Sequence, residues 1–175
     1  MTVTTQSTNP SSSGPKGLEG VVAGNSSLSK VFGEEGRLIY RGIPIEPLAE
    51  QAVFEETVHL LWYDALPTAD QLASLRAELG AEAGVPDELW AVLRPLVKTS
   101  SLMDLLRTGI SALSAFDPDV ADTRDATDPE VRAAANLRIA KRLMAKVGTV
   151  VAGAYRLMKG QEPLEPKAGL SLAGN

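Results

Sequence analysis

The chain contains no cysteine. That excludes disulfides, thiolate metal ligands and a cysteine nucleophile, and it suits a cytoplasmic protein. Its only histidine is His59, so any mechanism needing two imidazoles cannot be completed by this chain alone. No run approaches the roughly 18 to 20 apolar residues of a membrane span. Positive charge is in the minority, with 17 Lys and Arg against 22 Asp and Glu and a net charge of −5. That balance argues against general attraction to nucleic acid or to an anionic membrane. What is present is apolar content: 44% of 175 residues, enough for a sizeable core in one domain or in a piece of a larger one.

Residues 1–16 are rich in Ser and Thr, carry a single charge at Lys16, and read as a disordered tail. They have neither the apolar run of a secretory signal nor the arginines of a mitochondrial presequence. Residues 17–42 read as a β-hairpin, with strands at Ser26–Phe32 and Arg37–Tyr40 around a turn at Gly33–Gly36. Two short strands are marginal alone and must lean on the body that follows. Arg41-Gly42 then leads through Pro44 and Pro47 into helix, and residues 43–175 read as helical.

From Pro47 one helix is expected through Tyr63, with Val53, Phe54, Thr57, Val58, Leu60, Leu61 and Trp62 placing apolar groups nearly all round its second half. Such a helix is buried. His59 lies within it and reads as a core or interface histidine with one hydrogen-bond partner, not as a ligand or base. Thr68 and Gln71 have capping-box spacing, and Leu72, Leu75 and Leu79 give the next helix its stripe before Gly80. A short helix follows at Asp87–Leu96, with Leu89, Trp90 and Leu93 as its contacts. Ser101 and Asp104 cap another, to about Ala115, with Leu102, Leu105, Leu106, Ile110 and Leu113 on one face. Gly109, at the edge of that face, leaves room for another backbone.

Phe116–Glu130 is acidic, with Arg124 as its only cation, and reads as a solvated linker. Its acids lack the glycine and terminal glutamate of a calcium loop. Asp128-Pro129 supplies an N-cap and a first-turn proline. The longest helix, about Val131–Lys159, places Ala140, Leu143, Met144, Val147, Val151, Ala154 and Met158 in one arc. Arg132, Arg138, Lys141, Arg142, Lys146, Arg156 and Lys159 read as a solvated face, neutralised in part by the acidic linker, not as a nucleic-acid surface. Leu170–Ala173 looks like the start of a further apolar helix, and stopping within such a pattern is what a truncated chain looks like.

The stretch Gly17-Leu18-Glu19-Gly20-Val21-Val22, then Gly36–Gly42 (GRLIYRG) and Ile45–Ala49 (IEPLA), closely resembles the amino-terminal signature of citrate synthases. His59–Thr68, Met103–Leu113 and Leu170–Asn175 are similar to later segments of the same family, in the same order. The family's His-Pro ahead of Met103 is Ser101-Leu102 here, and its Tyr-Gly ahead of Leu66-Pro67 is Tyr63-Asp64. The resemblance implies a mainly α protein, the helical bundle of the citrate synthase large domain preceded by a short β-hairpin and incomplete at its C-terminus. It implies an acyltransferase of the tricarboxylic acid cycle that condenses acetyl-CoA with oxaloacetate, with 2-methylcitrate synthase as a close alternative. The family's catalytic histidines and aspartate and its substrate-binding arginines match no position here. No catalytic, cofactor-binding or metal-binding residue is therefore assigned, no cofactor is expected, and the chain alone is expected to be inactive. A homodimer is implied through helices near 86–96 and 101–115. A non-catalytic paralogue or dimerisation module is the remaining alternative.

Overall fold

The computed structural model describes residues 26–167 and 169–175. The tail expected over 1–16 and the Gly17–Val22 stretch lie outside them. The described chain opens with three antiparallel strands in the order β1 (Ser29–Phe32), β2 (Arg37–Tyr40) and β3 (Ile43–Pro44). Seven helices follow: α1 (Ile45–Gln51), α2 (Phe54–Tyr63), α3 (Ala69–Ala81), α4 (Asp87–Leu93), α5 (Leu102–Leu113), α6 (Val120–Asp125) and α7 (Pro129–Met158). The mainly α reading with a small sheet ahead of it is what the structure shows.

Two local readings are corrected. The hairpin gains a third strand, because Tyr40 pairs with Ile43 across the two-residue link Arg41-Gly42. Both link residues have positive φ, 46° and 84°, which is the backbone of a type I′ turn. That turn suits the twist of adjacent strands. Gly42 adopts it freely, whereas Arg41 needs its side chain held. Arg41 donates to Ser27 Oγ at 2.8 Å and to the Leu61 carbonyl at 3.2 Å, and its Nε lies 3.4 Å from Asp64. A strand of two residues ending in proline is short for a periodicity reading to detect, and Pro44 is tolerated because it lies at the sheet edge.

The single helix expected from Pro47 to Tyr63 is two helices. Ala52 and Val53 are extended, with ψ of 148° and 162°. The Glu56 carboxylate accepts the Val53 N–H at 2.7 Å, giving that amide a partner outside an unbroken helix. Nor is α2 buried all round: Glu55, Val58, His59 and Leu60 are buried, while Phe54 and Tyr63 are exposed.

The capping expectations hold. Thr68 Oγ1 accepts from Gln71 N at 3.3 Å while Gln71 returns a bond to Thr68 N at 2.8 Å. Ser101 and Asp104 make the same reciprocal pair, and Asp128 caps α7 by accepting from Glu130 N at 2.8 Å. Each supplies an acceptor to orphan amides of a first turn, worth about 1 kcal/mol.

The core lies along α7, which packs against α5, α6 and α3. One cluster joins Leu89, Trp90 and Leu93 of α4, Leu105 and Leu113 of α5, and Val150, Ala154 and Leu157 of α7. A smaller one joins Leu75 and Leu79 of α3 with Ala83 and Ala145, backed by Trp62 and Leu172. The contact between α4 and α7 depends on Gly153. A Cβ there would stand 2.3 Å from Trp90 Cη2, so the indole lies on bare helix backbone. Gly109 admits a side chain and not a backbone: Val150 Cγ1 would be 2.9 Å from its Cβ.

The arc expected to be buried on α7 is displaced. The fully buried residues are Ala135, Ala145, Val150, Gly153, Ala154 and Leu157. Val147 and Met158 are exposed, and Ala140, Met144 and Val151 are half-buried. Only Ala154 is common to both sets.

Candidate functional site

His59 is the only imidazole, and the chain uses it structurally. It is 7% exposed, and its Nδ1 lies 2.8 Å from the Ala65 carbonyl oxygen. A carbonyl only accepts, so the Nδ1 N–H donates this bond. The bond ties the end of α2 to the turn beyond it, and Tyr63 covers the ring at 4.6 Å. The cleft beside it holds about 360 Å3 between His59, Tyr63, Gln71, Ser74 and Glu78. Lys141 reaches this neighbourhood from α7 and bonds both Glu78 oxygens at 2.8 Å. Burial works against the Lys141 charge, but the Glu78 and Tyr63 contacts outweigh it and hold the ammonium above its ordinary pKa.

The acidic linker is not a solvated loop. It contains α6, and two of its carboxylates grip α7. Arg142 donates to Asp117 at 2.8 and 2.7 Å and also bonds Asp119. Arg138 donates to Asp119 at 3.1 and 2.6 Å. Three of the four side chains lie largely out of solvent, at 16% exposed for Arg142, 11% for Asp117 and 14% for Asp119. Arg142 holds the Asp117 carboxyl below the usual carboxylate range, helped by the Asp119 backbone N–H. Arg138 and then Arg142 hold Asp119 further below it.

These contacts also correct the reading of the basic face of α7. Lys146 bonds the Glu82 carbonyl at 2.6 Å, Arg156 the Glu162 carbonyl at 2.6 Å and Arg132 the Ala126 carbonyl at 2.5 Å. Neutralisation by the linker is as expected, but Lys141, Arg142 and Lys146 are mostly buried instead of solvated. The aspartates at 117 and 119 and the arginines at 138 and 142, one helical turn apart, carried a signal. Reading the two runs as a matched pair would have found the clamp.

A third polar centre was not foreseen. Glu55, 2% exposed, accepts the Leu172 N–H at 3.0 Å and lies 3.6 Å from Arg76. It thereby seats Leu172 in the smaller core cluster. Asn175 closes the same segment by bonding the backbone of Lys167 at 2.7 and 3.0 Å. The helix expected from Leu170 is a turn held by these bonds.

Asp117, Asp119, Arg138 and Arg142, the Lys141–Glu78 pair and the Glu55–Arg76 pair hold one element to another, while Glu56, Asp104 and Asp128 cap the starts of their own helices. Among the described residues, no three His, Cys, Asp or Glu side chains gather as a metal site would require. The fold that these contacts hold together is a mainly helical bundle behind a small antiparallel sheet. A family model described as "Citrate synthase, C-terminal domain" matches residues 17–175, and the chain belongs to the citrate synthase family. It is 42% identical over 161 residues to a citrate synthase of Haloferax volcanii, covering 91% of this chain and 41% of that protein. It is 35% identical over 161 residues to 2-methylcitrate synthase 1 of Corynebacterium glutamicum, covering 91% of this chain and 40% of that one. The solved citrate synthase from Pyrobaculum aerophilum superimposes with a TM-score of 0.84 at 31% identity, over 100% of this chain and 45% of that one. The chain thus spans about two fifths of the length of the curated relatives it matches.

Proposed function

We propose that this chain is the framework portion of a citrate synthase, an acyltransferase that condenses acetyl-CoA with oxaloacetate to give citrate in the tricarboxylic acid cycle. The observation that carries the reading is the unbroken family match from 17 to 175 on a chain whose only imidazole is committed to a backbone carbonyl. Enolising a thioester needs a positioned base together with a donor at the forming enolate oxygen. His59, with Nδ1 tied to Ala65, is no such pair. In this reading the chain supplies the scaffold, binds no cofactor of its own and works in the cytoplasm. The chemistry comes from the part of the family length that it does not span.

The reading includes a homodimer through the helices near 86–96 and 101–115. Met103 and Val92 are exposed apolar side chains on those helices, and Leu106 and Ile110 are half-buried beside them. Leu106→Ala and Ile110→Ala are expected to weaken self-association. Analytical ultracentrifugation, with circular dichroism to confirm folding, would detect the change, and an unaltered dimer in both would remove this interface. The relative from Corynebacterium glutamicum favours a second reading, in which the acyl donor is propionyl-CoA.

The test is free thiol release from acetyl-CoA and oxaloacetate by the purified chain, run beside size-exclusion chromatography. No release from a folded chain is expected. Turnover dependent on both substrates would overturn the framework reading.

A further inference from the structure

His59 commits one ring nitrogen to the Ala65 carbonyl and leaves Nε2 without a hydrogen-bond partner among the described residues. The ring is 7% exposed. Among the described residues, though, the side-chain nitrogen or oxygen that is both fully buried and unbonded is Arg41 Nε. His59 Nε2 is therefore not sealed in the core, and it opens on the cleft of about 360 Å3 that the ring lines. Tyr63, Gln71, Ser74 and Glu78 line the same cleft, with Leu75 beside them. Gln71, Ser74 and Glu78 follow one another at helical spacing along one face of α3.

Hydroxyl groups suit this lining. With Nδ1 donating, Nε2 accepts when the ring is neutral and donates when it is a cation. A hydroxyl does both, so it pairs with Nε2 in either state. Ser74 adds a hydroxyl, and Gln71, whose Oε1 accepts the Thr68 N–H at 2.8 Å, keeps its amide N–H groups. Glu78 adds carboxylate oxygens, but Lys141 bonds both of them at 2.8 Å, so the lining carries no unopposed charge. An anion would meet Glu78 and a cation would meet Lys141, which leaves a neutral ligand as the best fit. Tyr63, 41% exposed, and Leu75 supply carbon for the C–H side of such a molecule. The volume falls within the roughly 300 to 1,000 Å3 of small-molecule pockets, near the lower end.

We propose that this cleft binds a small neutral polyhydroxy compound of monosaccharide size, held by His59 Nε2, the Ser74 hydroxyl and the Gln71 amide. The site goes beyond the framework reading of function and does not depend on it, because its three binding groups lie on α2 and α3. Ser74 is exposed, so its hydroxyl can be removed without disturbing the core, and alanine is the better helix former.

The test titrates the full chain at constant pH with methyl glucoside, a neutral sugar that does not condense with lysine, while nitrogen-15 NMR follows the imidazole. His59 is the only histidine, so one ring signal reports on Nε2 directly. A saturable shift of that signal is expected. Ser74→Ala should weaken binding about fivefold to tenfold, as for one lost hydrogen bond. Ser111→Ala, at an exposed serine on α5, should bind as the unaltered chain does, and backbone amide spectra of both variants check their fold. Gluconate, similar in size but carrying a carboxylate, should need a concentration at least about tenfold higher, because Glu78 opposes it. The absence of a saturable shift overturns the proposal, and so does a shift that Ser74→Ala leaves unchanged. Gluconate binding as tightly as methyl glucoside overturns it too, because the charge balance of the lining would then not select the ligand.

Discussion

The two apolar sides of α7 differ in what they carry. Toward α4 and α5 the helix presents Val150, Gly153, Ala154 and Leu157, and every one of them is buried. Toward α2 it presents Ala140, Met144, Val147 and Gly148, and the space in front of them is open. The two sides are alike in composition, each with one glycine, one alanine, one valine and one longer apolar side chain, yet only one of them is covered. Hydropathy reports which groups shun water, but contact distance is set by the smallest residue at the crossing. At Gly153 the Trp90 indole comes closer than any side chain would allow. What marks the closed side is that its glycine lies under the Trp90 ring, whereas Gly148 on the open side would meet nothing nearer than the Leu172 carbonyl oxygen at 3.8 Å.

The sharpest way to break this contrast is at the closed side. Gly153→Ala would set a methyl inside the Trp90 ring, against helix backbone on one side and a buried indole on the other. A loss of about 3 kcal/mol is expected from overpacking, read by urea or thermal unfolding. A change within about 0.5 kcal/mol would mean that the indole has somewhere else to go.

The α6 clamp ranks next. Arg142→Ala would leave Asp117 and Asp119 facing each other without their shared cation, and about 2 to 3 kcal/mol should be lost, as for a partly buried pair with one member removed. The same clamp gives a pH dependence with a definite sign. Both carboxyl groups have folded pKa values below the unfolded one. Their contribution is complete above the ordinary carboxylate pKa of about 3.9 and is lost as pH falls below it toward the folded values. Hydrogen exchange should show α6 amides opening on acidification before the amides of α5 do. Simultaneous opening would mean that the clamp does not act locally.

The smallest effect concerns Asp64, which ends α2 with φ of 64°. An L side chain there pays a left-handed cost that glycine does not. Its ion pair with Arg41 returns little because Asp64 is 70% exposed. Asp64→Gly should raise stability by about 0.5 kcal/mol, and Asp64→Ala should lower it by a similar amount. A loss with glycine would show that the carboxylate is needed to hold Arg41 in its own positive-φ turn.

Much of the framework was legible in the sequence because its signals are local. The capping boxes at Thr68-Gln71 and Ser101-Asp104, the proline start of α7 and the core role of His59 follow from spacing within a few residues. What was missed depended on distant partners. The break at Ala52-Val53 needed the Glu56 carboxylate to turn back on Val53, and β3 needed Tyr40 opposite Ile43. Asp117 and Asp119 looked solvated because their arginines lie more than a turn of sequence away, on another helix. Glu55 could not be read as an anchor, since its partner is an amide near the opposite end of the chain. The Ser101-Leu102 departure from the family costs the helix nothing, because Ser101 caps α5 well.

The most direct measurement is a pair of thermal unfolding curves, for Gly153→Ala and for Val147→Glu. The account predicts that Gly153→Ala lowers Tm by roughly 6 to 12 °C, the shift that about 3 kcal/mol gives in a chain of this size. Val147→Glu should stay within about 2 °C of the unaltered protein. Equal losses in the two would contradict it, because the open side of α7 would then be as closed as the side that holds Trp90.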